Sequence, residues 1–186
     1  MQHRMRPPAG SLLIAEPFME DPNFRGSVVL LCESREDGAF GLILNRPLEE
    51  KVCNLIEDFP AIDNKVFYGG PVQPNTLHFL HQRGDLFTDS IQIAEGVYWG
   101  GDFQRLITAL DTGQMSGDEV RFYVGYSGWD GQQILDELKE QAWFVSRVQA
   151  SYVFEEDPKR LWRTVLRHMG SRYKLIANLP DNPRLN

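Results

Sequence analysis

The stretch from Glu119 to Phe144 constrains the fold of this chain more than any other segment. It begins with an apolar run, EVRFYVGY, in which Phe122, Val124 and Tyr126 alternate with other residues, and a period of two is typical of a partly buried strand. SGWDG follows, and then QQILDELKEQAWF, whose apolar residues recur at helical spacing. The pattern predicts a strand, a tight glycine turn from Ser127 to Gly131, and a helix. Such a turn brings backbone N–H groups and a helix N-terminus to the surface together, where α/β folds often bind a ligand.

The other apolar runs are short, and most are bounded by Gly, Pro, Asn or Asp. They predict further strands over residues 11–15, 28–32, 38–44, 66–68, 76–81, 90–94, 97–99, 143–148 and 151–154. Helices are predicted from Pro47 to Phe59, from Asp102 to Gly113 and from Pro158 to Met169. Many short strands with a few helices among them favour an α+β or mixed α/β domain over a doubly wound one.

Length and composition predict one folded domain. The chain has 186 residues, of which 42% are hydrophobic and 24% charged, and these values are typical of a folded protein. No Ser- or Pro-rich linker divides it, so we expect a single domain over residues 1–186, with extended or loosely packed ends at residues 1–10 and 178–186. The formal net charge of −7 disfavours a protein that coats a phosphate backbone, because that affinity comes from clustered Lys and Arg.

Targeting and membrane segments are not recognisable in the sequence. The apolar run from Ser11 to Ala15 is interrupted by Glu16 and Pro17, which makes it too short for a signal peptide. No run approaches the roughly 20 apolar residues that a membrane span requires. Cys32 and Cys53 lack CxxC spacing and are predicted to be small buried hydrophobic residues. We therefore expect a cytoplasmic, reduced protein with no membrane attachment.

Known cofactor and catalytic motifs are absent or matched only in part. Neither GxGxxG nor GxxxxGK[ST] occurs, and no cofactor is predicted. GYSGW at residues 125–129 is similar to the GxSxG motif of serine hydrolases, but Trp129 replaces the final small residue. A serine nucleophile also needs a base, and only His168 follows it in the hydrolase order. We interpret Ser127 as a turn or helix-capping residue, with Asp130 as the other candidate N-cap.

His78 and His81 form an HxxH pair, a spacing at which two imidazoles bind a metal from one face of a helix. Here the surrounding pattern predicts a strand, in which positions i and i+3 point to opposite sides. With no cysteine nearby and no third ligand in the pattern, no metal site is predicted.

A basic stretch lies in the predicted helix near the C-terminus, where Lys159, Arg160, Arg163 and Arg167 lie outside the apolar face. Such a stretch binds nucleic acid in some proteins, but it is more often a solvated helix face. The acidic residues just before it, Glu155 to Asp157, cancel part of its field. Direct nucleic-acid binding is therefore not expected; it would show as a gel shift that collapses with added salt.

A concave site is predicted where three strand ends would converge. Two glycine turns and the Asn-Arg pair would offer backbone donors, an amide, a guanidinium and two aromatic rings to a partner protein or a small ligand. Folding alone would also explain the glycines, so a pocket and a purely architectural role both stay open. The candidate surface comprises Asn45, Arg46, Gly69, Gly70, Pro71, Gly125, Tyr126, Ser127, Gly128 and Trp129.

At these same residues the chain resembles the AlgH/YqgE family of bacterial proteins. The resemblance implies a single compact domain with a bent, largely antiparallel sheet flanked by about four helices, and members are often labelled transcriptional regulators. The chain departs from the family pattern after Trp129, with QQIL at residues 132–135 where the family usually has GQLE. The matching pieces are LLIA at 12–15 with Pro17, Met19, Asp21 and Phe24, GAFGLILNRP at 38–47, GGPV at 69–72, GYSGW at 125–129 and the terminal Asn186.

Two hypotheses about function follow. The first is a non-enzymatic cytoplasmic protein that binds a partner protein or a small ligand. Any effect on transcription would be indirect, because no helix-turn-helix, zinc finger or strongly basic surface is visible in the sequence. The alternative is a small-molecule or nucleotide-binding enzyme that uses the same turns. An enzyme needs a titratable group with a shifted pKa in a cleft, and Asp130 and Tyr126 are the nearest candidates.

Overall fold

A ten-stranded, curled sheet forms the framework of the protein in a computed structural model that describes residues 6–179. Eight strands follow the order β10-β1-β2-β3-β9-β6-β8-β7, while β4 pairs with β5, and β5 runs parallel to β9. The other pairings between described strands are antiparallel. In chain order the strands are β1 (Ser11–Ala15), β2 (Val28–Arg35), β3 (Gly38–Ile43), β4 (Pro47–Lys51), β5 (Lys65–Tyr68), β6 (Val72–His81), β7 (Ile91–Ala94), β8 (Val97–Trp99), β9 (Val120–Asp130) and β10 (Trp143–Arg147).

Six helices flank the sheet within the described residues, which is more than the sequence predicts. The fold class, an α+β domain with a bent, largely antiparallel sheet, is confirmed. The predicted loose ends fall mostly outside residues 6–179. Within those residues, no helix is both long and apolar enough to span a membrane. The helices are α1 (Val52–Leu55), α2 (Phe103–Asp111), α3 (Gln133–Lys139), α4 (Ala150–Phe154), α5 (Pro158–His168) and α6 (Ser171–Ala177).

The sheet curls until its two end regions approach each other. Gly10, just before β1, lies so close to β7 that a Cβ atom on it would be 2.7 Å from the carbonyl oxygen of Ile93. A Cβ atom on Gly96, between β7 and β8, would lie 3.3 Å from the Cβ atom of Ala150. The sheet is therefore a half-barrel, and the residues that fill it form what we call the inner cluster. Its members include Leu12, Ile14, Leu30, Leu42, Tyr123, Tyr152, Leu161 and Val165.

Side chains on the other face of the sheet form two more clusters. The α2 cluster contains Phe79, Leu106 and Phe122, and the α3 cluster contains Leu13 and Ile134. Successive residues of a strand point to opposite faces, so a strand between two clusters must be apolar at every position. This explains the uninterrupted apolar run LLIA at residues 12–15 of β1, all of which are buried.

The predicted turn at residues 127–131 is wrong, because β9 continues through it to Asp130. Long-range pairing accounts for the difference: the second half of β9 pairs with β3, where Gly41 lies opposite Ser127 and Gly38 lies opposite Asp130. The chain then turns into α3, and Oδ1 of Asp130 accepts hydrogen bonds from the backbone N–H groups of Gln132 and Gln133 at 3.0 and 2.7 Å. Of the two candidate capping residues, Asp130 is the one that bonds to the start of the helix.

Two other element predictions are also wrong. The sequence pattern predicts one helix from Pro47 to Phe59, but Pro47–Lys51 is strand β4, paired with β5, and only Val52–Leu55 is helical. Residues 151–154 are part of helix α4 instead of a strand, and this helix buries three apolar side chains in the inner cluster. In both segments tertiary packing overrides the local pattern. Helix α6 has no counterpart among the predicted elements.

Helices α2 and α5 begin where the sequence predicts. The carboxylate of Asp102 accepts a hydrogen bond from the N–H group of Arg105 at 2.7 Å, and α5 begins at Pro158. Both starts use local chemistry, a capping carboxylate and a proline in the first turn, that needs no tertiary contact.

Candidate functional site

Asn45 and Arg46, the first two residues of the predicted surface, hold the loop between β1 and β2. Asn45 accepts from the N–H group of Val28 through Oδ1 and donates to the carbonyl oxygen of Gly26 through Nδ2, both at 2.9 Å. Arg46 Nη2 donates to the carbonyl oxygens of Pro22 and Arg25 at 3.2 and 2.9 Å, and burial lowers the pKa of its guanidinium. Both polar atoms of the Asn45 amide and one nitrogen of the Arg46 guanidinium are therefore engaged within the protein.

The glycines of the predicted surface lie where two backbone segments touch. A Cβ atom on Gly69 would collide with the carbonyl oxygen of Gly125, and one on Gly70 would collide with the carbonyl group of Tyr126. The N–H group of Gly69 donates to Val124, and its carbonyl oxygen accepts from Ile43, at 2.8 and 2.9 Å. The structure thus brings two of the three predicted segments together as packed backbone.

Ser127 and Trp129 are internal, whereas Pro71 is exposed. Ser127 has no exposed surface, and its Oγ donates to the carbonyl oxygen of Gly69 at 3.0 Å. Trp129 is 5% exposed and donates through Nε1 to Glu137 at 2.9 Å. Of the predicted surface, Tyr126 and Gly128 are half-buried and line an open groove.

Tyr126 belongs to a set of four half-buried rings from four different strands, Phe40, His78, Trp99 and Tyr126, which we call the aromatic row. The Phe40 ring stacks on Tyr126 at a centroid distance of 4.6 Å and on Trp99 at 4.8 Å. The His78 ring meets Phe40 edge-on at 5.2 Å. Stacked and edge-to-face rings at such distances stabilise one another by about 0.5–1.5 kcal/mol per pair, so the row is a fixed wall.

The backbone conformation of Gly125 in β9 is what puts Tyr126 into this row. Phe122 and Val124 contact the α2 cluster, and Tyr123 lies in the inner cluster, as alternation requires. Gly125 then has a φ of +65°, and Tyr126 packs against the inner cluster, although strict alternation would send it to the face of Val124. A positive φ is open to glycine at little cost, so Gly125 provides the change of face.

An open cleft of about 560 Å³ lies beside the aromatic row. The cleft opens where β8 ends, at the pair formed by Leu80 and Trp99. After Trp99 the chain turns away from β6 through Gly100 and Gly101 and enters α2. The edge of β6 before Leu80 is left uncovered by β8. The lining is almost entirely apolar and comprises Ile56, Leu77, His78, Phe79, Trp99, Gly100, Gly101 and Phe103.

His78 is the titratable side chain in this lining, and its polar surroundings are simple. Its Nε2 lies 3.2 Å from the hydroxyl oxygen of Thr76. Burial lowers the pKa of the imidazole from its ordinary value of 6.5, so the ring is neutral at pH 7. The protein thus presents an uncharged imidazole at the wall of an apolar cleft.

His81 lies on the other face of β6, where its ring contacts Phe87 and Tyr98 at centroid distances of 4.5 and 5.7 Å. Its Nε2 donates to the carbonyl oxygen of Gly100 at 3.0 Å, and its Nδ1 accepts from the N–H group of Arg83 at 3.2 Å. Both nitrogens are therefore used within the fold. The predicted strand is confirmed for this HxxH pair, and residues 6–179 contain no cluster of three or more potential metal ligands.

The basic face of α5 points away from the core, with Lys159, Arg160 and Arg167 exposed. Arg163 is engaged elsewhere, since it donates to the carbonyl oxygen of Leu179 at 3.1 Å. The positive charges are thus distributed over a solvated helix face.

Sequence reasoning missed most of the cleft. It considered His78 only as a metal ligand, and it did not single out Trp99 or Phe103. The available signals were the strand alternation around His78 and the glycine pair at residues 100–101, which marks a sharp departure of the chain from the sheet. Neither signal identifies a cleft without the pairing of β6 with β8.

Known proteins resemble this chain over almost its whole length. The family described as AlgH-like matches residues 12–174. A UPF0301 protein of Chlorobium chlorochromatii is 43% identical over 178 residues, which cover 96% of this chain and 95% of that protein. A UPF0301 protein of Cytophaga hutchinsonii is 39% identical and covers 95% of this chain and 98% of that protein.

Two solved structures have a similar fold. The solution structure of the AlgH protein from Pseudomonas aeruginosa has a TM-score of 0.74 and 27% identity, and the match covers 92% of this chain and 94% of that one. A crystal structure of a protein from Corynebacterium diphtheriae has a TM-score of 0.78 at 21% identity, with 96% and 95% coverage.

Proposed function

The chain belongs to the AlgH-like family, and from this premise and its own geometry we propose that it is a non-enzymatic protein that binds a small ligand in the cleft beside the aromatic row. The predicted surface takes part only through Tyr126, whose ring stacks on Phe40 in the row, while Tyr126 and Gly128 line a separate groove. Asn45, Arg46 and the three packed glycines act as positioning residues, because they fix the loop and the strands that carry the rings.

One observation carries this proposal: a cleft of about 560 Å³ whose lining is apolar and includes a single titratable side chain among the described residues. Small-molecule sites typically combine apolar walls with a few polar groups that orient the ligand, in volumes of about 300–1,000 Å³. The aromatic rings are held in place by one another, so a ligand would not have to order them on binding.

We also propose that the protein works in the cytoplasm and that any effect on transcription is indirect, through the bound ligand or a partner that recognises the bound form. Cys32 and Cys53 are both free thiols, which is the usual state in a reducing compartment. The dispersed charges of α5 give no support to direct contact with nucleic acid.

The alternative, a small-molecule or nucleotide-binding enzyme, draws its support from His78. A neutral imidazole in an apolar cleft has the chemistry of a general base. Catalysis would also require a nucleophile or an acid within reach, and the described lining residues supply neither. The hydroxyl of Ser127 is buried and donates to Gly69. We therefore favour binding over catalysis.

Blocking the cleft tests the proposal. Ile56 lines the cleft, whereas its neighbour Leu55 is 49% exposed and does not. A thermal-shift screen of uncharged aromatic fragments should give hits with the wild type and with Leu55→Trp, because a ligand at a hundred times its Kd adds about 2.7 kcal/mol of stability. Ile56→Trp should abolish those shifts, because the new indole fills the cleft.

The two tryptophan variants differ by one position in the same short segment, so a general effect of the substitution would appear in both. Hits that survive in Ile56→Trp, or a screen in which no aromatic fragment raises the Tm of the wild type, would contradict the proposed site.

A further inference from the structure

We infer that the ligand of this cleft is a small, neutral, planar ring carrying an N–H or O–H donor, and that Nδ1 of His78 accepts the hydrogen bond from that donor. This inference rests on the proposed function, since it specifies the ligand chemistry of the same cleft.

The position of the proton on the imidazole follows from its neighbour. The hydroxyl of Thr76 has one hydrogen, which it donates to the carbonyl oxygen of Gln73 at 2.8 Å. Towards Nε2 of His78, 3.2 Å away, the hydroxyl oxygen can therefore only accept. A neutral imidazole carries one proton, and here that proton is on Nε2. Nδ1 is left with a lone pair.

That lone pair is open to a ligand. Nδ1 of His78 has no hydrogen-bond partner within residues 6–179, and it is not among their buried unpaired atoms. It is therefore accessible to solvent. Both nitrogens of His81 are paired within the fold, so of the HxxH pair His78 is the imidazole available to a ligand.

The cleft also selects for shape and charge. Walls formed by Trp99, Phe103 and Leu77 favour a flat apolar body, which can stack on rings and contact branched side chains. Within the described lining no residue carries a formal charge while His78 is neutral. A phosphate or carboxylate placed there would lose its hydration without gaining a partner. A neutral ring loses much less hydration free energy on entering the cleft.

The free lone pair adds selectivity for a donor. An apolar ring without a donor would cover Nδ1 and remove its water, which leaves a polar atom unpaired. Sites with a hydrogen-bonding group of this kind discriminate against analogues that lack the complementary group. The cleft should therefore prefer rings that bear a donor.

Indole and 1-methylindole test the inference, because they share the ring system and differ in the N–H donor. Isothermal titration of the wild-type protein should give a Kd for indole about 3- to 10-fold lower than that for 1-methylindole. This comparison requires no variant, so it does not depend on the folding of a mutant.

Two variants then assign the preference to Nδ1. His78→Asn places an amide near the Nδ1 position and keeps an acceptor there, whereas His78→Gln reaches the Nε2 position and keeps only the contact with Thr76. The preference for indole should persist in His78→Asn and disappear in His78→Gln, with the Tm of each variant measured first to establish that it is folded.

The outcomes separate the inference from the proposed function. Equal affinity of the wild type for the two indoles, or a preference that survives in His78→Gln, would overturn the role of Nδ1 while leaving the cleft as a binding site. No binding of either compound at millimolar concentration would overturn both. A preference for indole that persists in the wild type and in His78→Asn but is lost in His78→Gln supports both the binding site and the role of Nδ1.

Discussion

His81, the second histidine of the HxxH pair, is part of the buried structure of the protein. Its ring has no exposed surface, and burial lowers its pKa from 6.5 even though the Gly100 carbonyl and the carboxylates of Asp85 and Asp89 act in the opposite direction. Protonation would also convert Nδ1 into a donor facing the N–H group of Arg83. The buried form is therefore the neutral one.

This burial predicts a pH dependence of stability. The unfolded state keeps a pKa near 6.5 and binds more protons than the folded state as the pH falls, so the free energy of unfolding decreases with decreasing pH. His78, whose pKa is lowered by desolvation alone among the rings of Phe40, Trp99 and Tyr126, contributes with the same sign. The loss begins near the ordinary histidine value and ends at the folded pKa.

Urea unfolding between about pH 7.5 and pH 5 measures the effect. The free energy of unfolding should fall more steeply for the wild type than for His81→Gln, which lacks one of the two histidines whose pKa burial lowers. Parallel pH profiles for the two proteins would show that His81 does not carry a lowered pKa.

In strand β9, the conformation of one residue, Gly125, decides which face of the sheet the following residue occupies. The positive φ of Gly125 changes the face on which Tyr126 lies, and a Cβ atom there would collide with the carbonyl oxygen of Gly70. Gly113, after α2, has a similar φ of +71°, but no atom lies within 4 Å of the position that a Cβ atom would take. A substitution at Gly113 would therefore introduce backbone strain alone, whereas one at Gly125 would introduce backbone strain and a steric collision.

We expect Gly125→Ala to lower the free energy of unfolding by about 3 kcal/mol, since it combines a strained backbone with a collision. Gly113→Ala should cost only about 1 kcal/mol, from the left-handed conformation alone. Urea unfolding of both variants gives the comparison. Equal costs would mean that the crossing of the two backbone segments relaxes easily, contrary to its proposed role in fixing the aromatic row.

The strands were predictable from sequence wherever local pattern and tertiary pairing agree. The apolar run of β1 is typical of a buried strand, and the turn residues between β7 and β8 are typical of a hairpin. In both cases the structure agrees with the local pattern. Pro47 to Phe59 carries an apolar period that suits a helix, yet pairing with β5 makes its first part a strand. The predicted turn failed for the same reason, because β3 supplies partners to β9 from about ninety residues away.

In the molecule as a whole, the cleft and the aromatic row beside it are formed by several elements and not by any one segment. Phe40, His78, Trp99 and Tyr126 come from β3, β6, β8 and β9, and Phe103 comes from α2. Only Tyr126 among them was part of the predicted surface. A sequence pattern identifies conformationally special residues such as Gly69 and Gly125, but those residues build the sheet, and the cleft lies elsewhere.

Trp99 reports directly on whether the cleft beside the aromatic row binds a ligand. The chain has 4 tryptophans. Trp129 and Trp143 donate to Glu137, and Trp162 donates to the carbonyl oxygen of Ala15, at 2.7–2.9 Å. Trp99 is the one that lines the cleft.

We would titrate ¹⁵N-labelled protein with unlabelled indole and follow the four tryptophan side-chain N–H resonances, with Trp99→Phe used for assignment. Binding in the cleft predicts that the Trp99 resonance shifts in a saturable manner, while those of Trp129, Trp143 and Trp162 stay in place. A stationary Trp99 resonance, or saturable shifts confined to the other three, would contradict binding at this site.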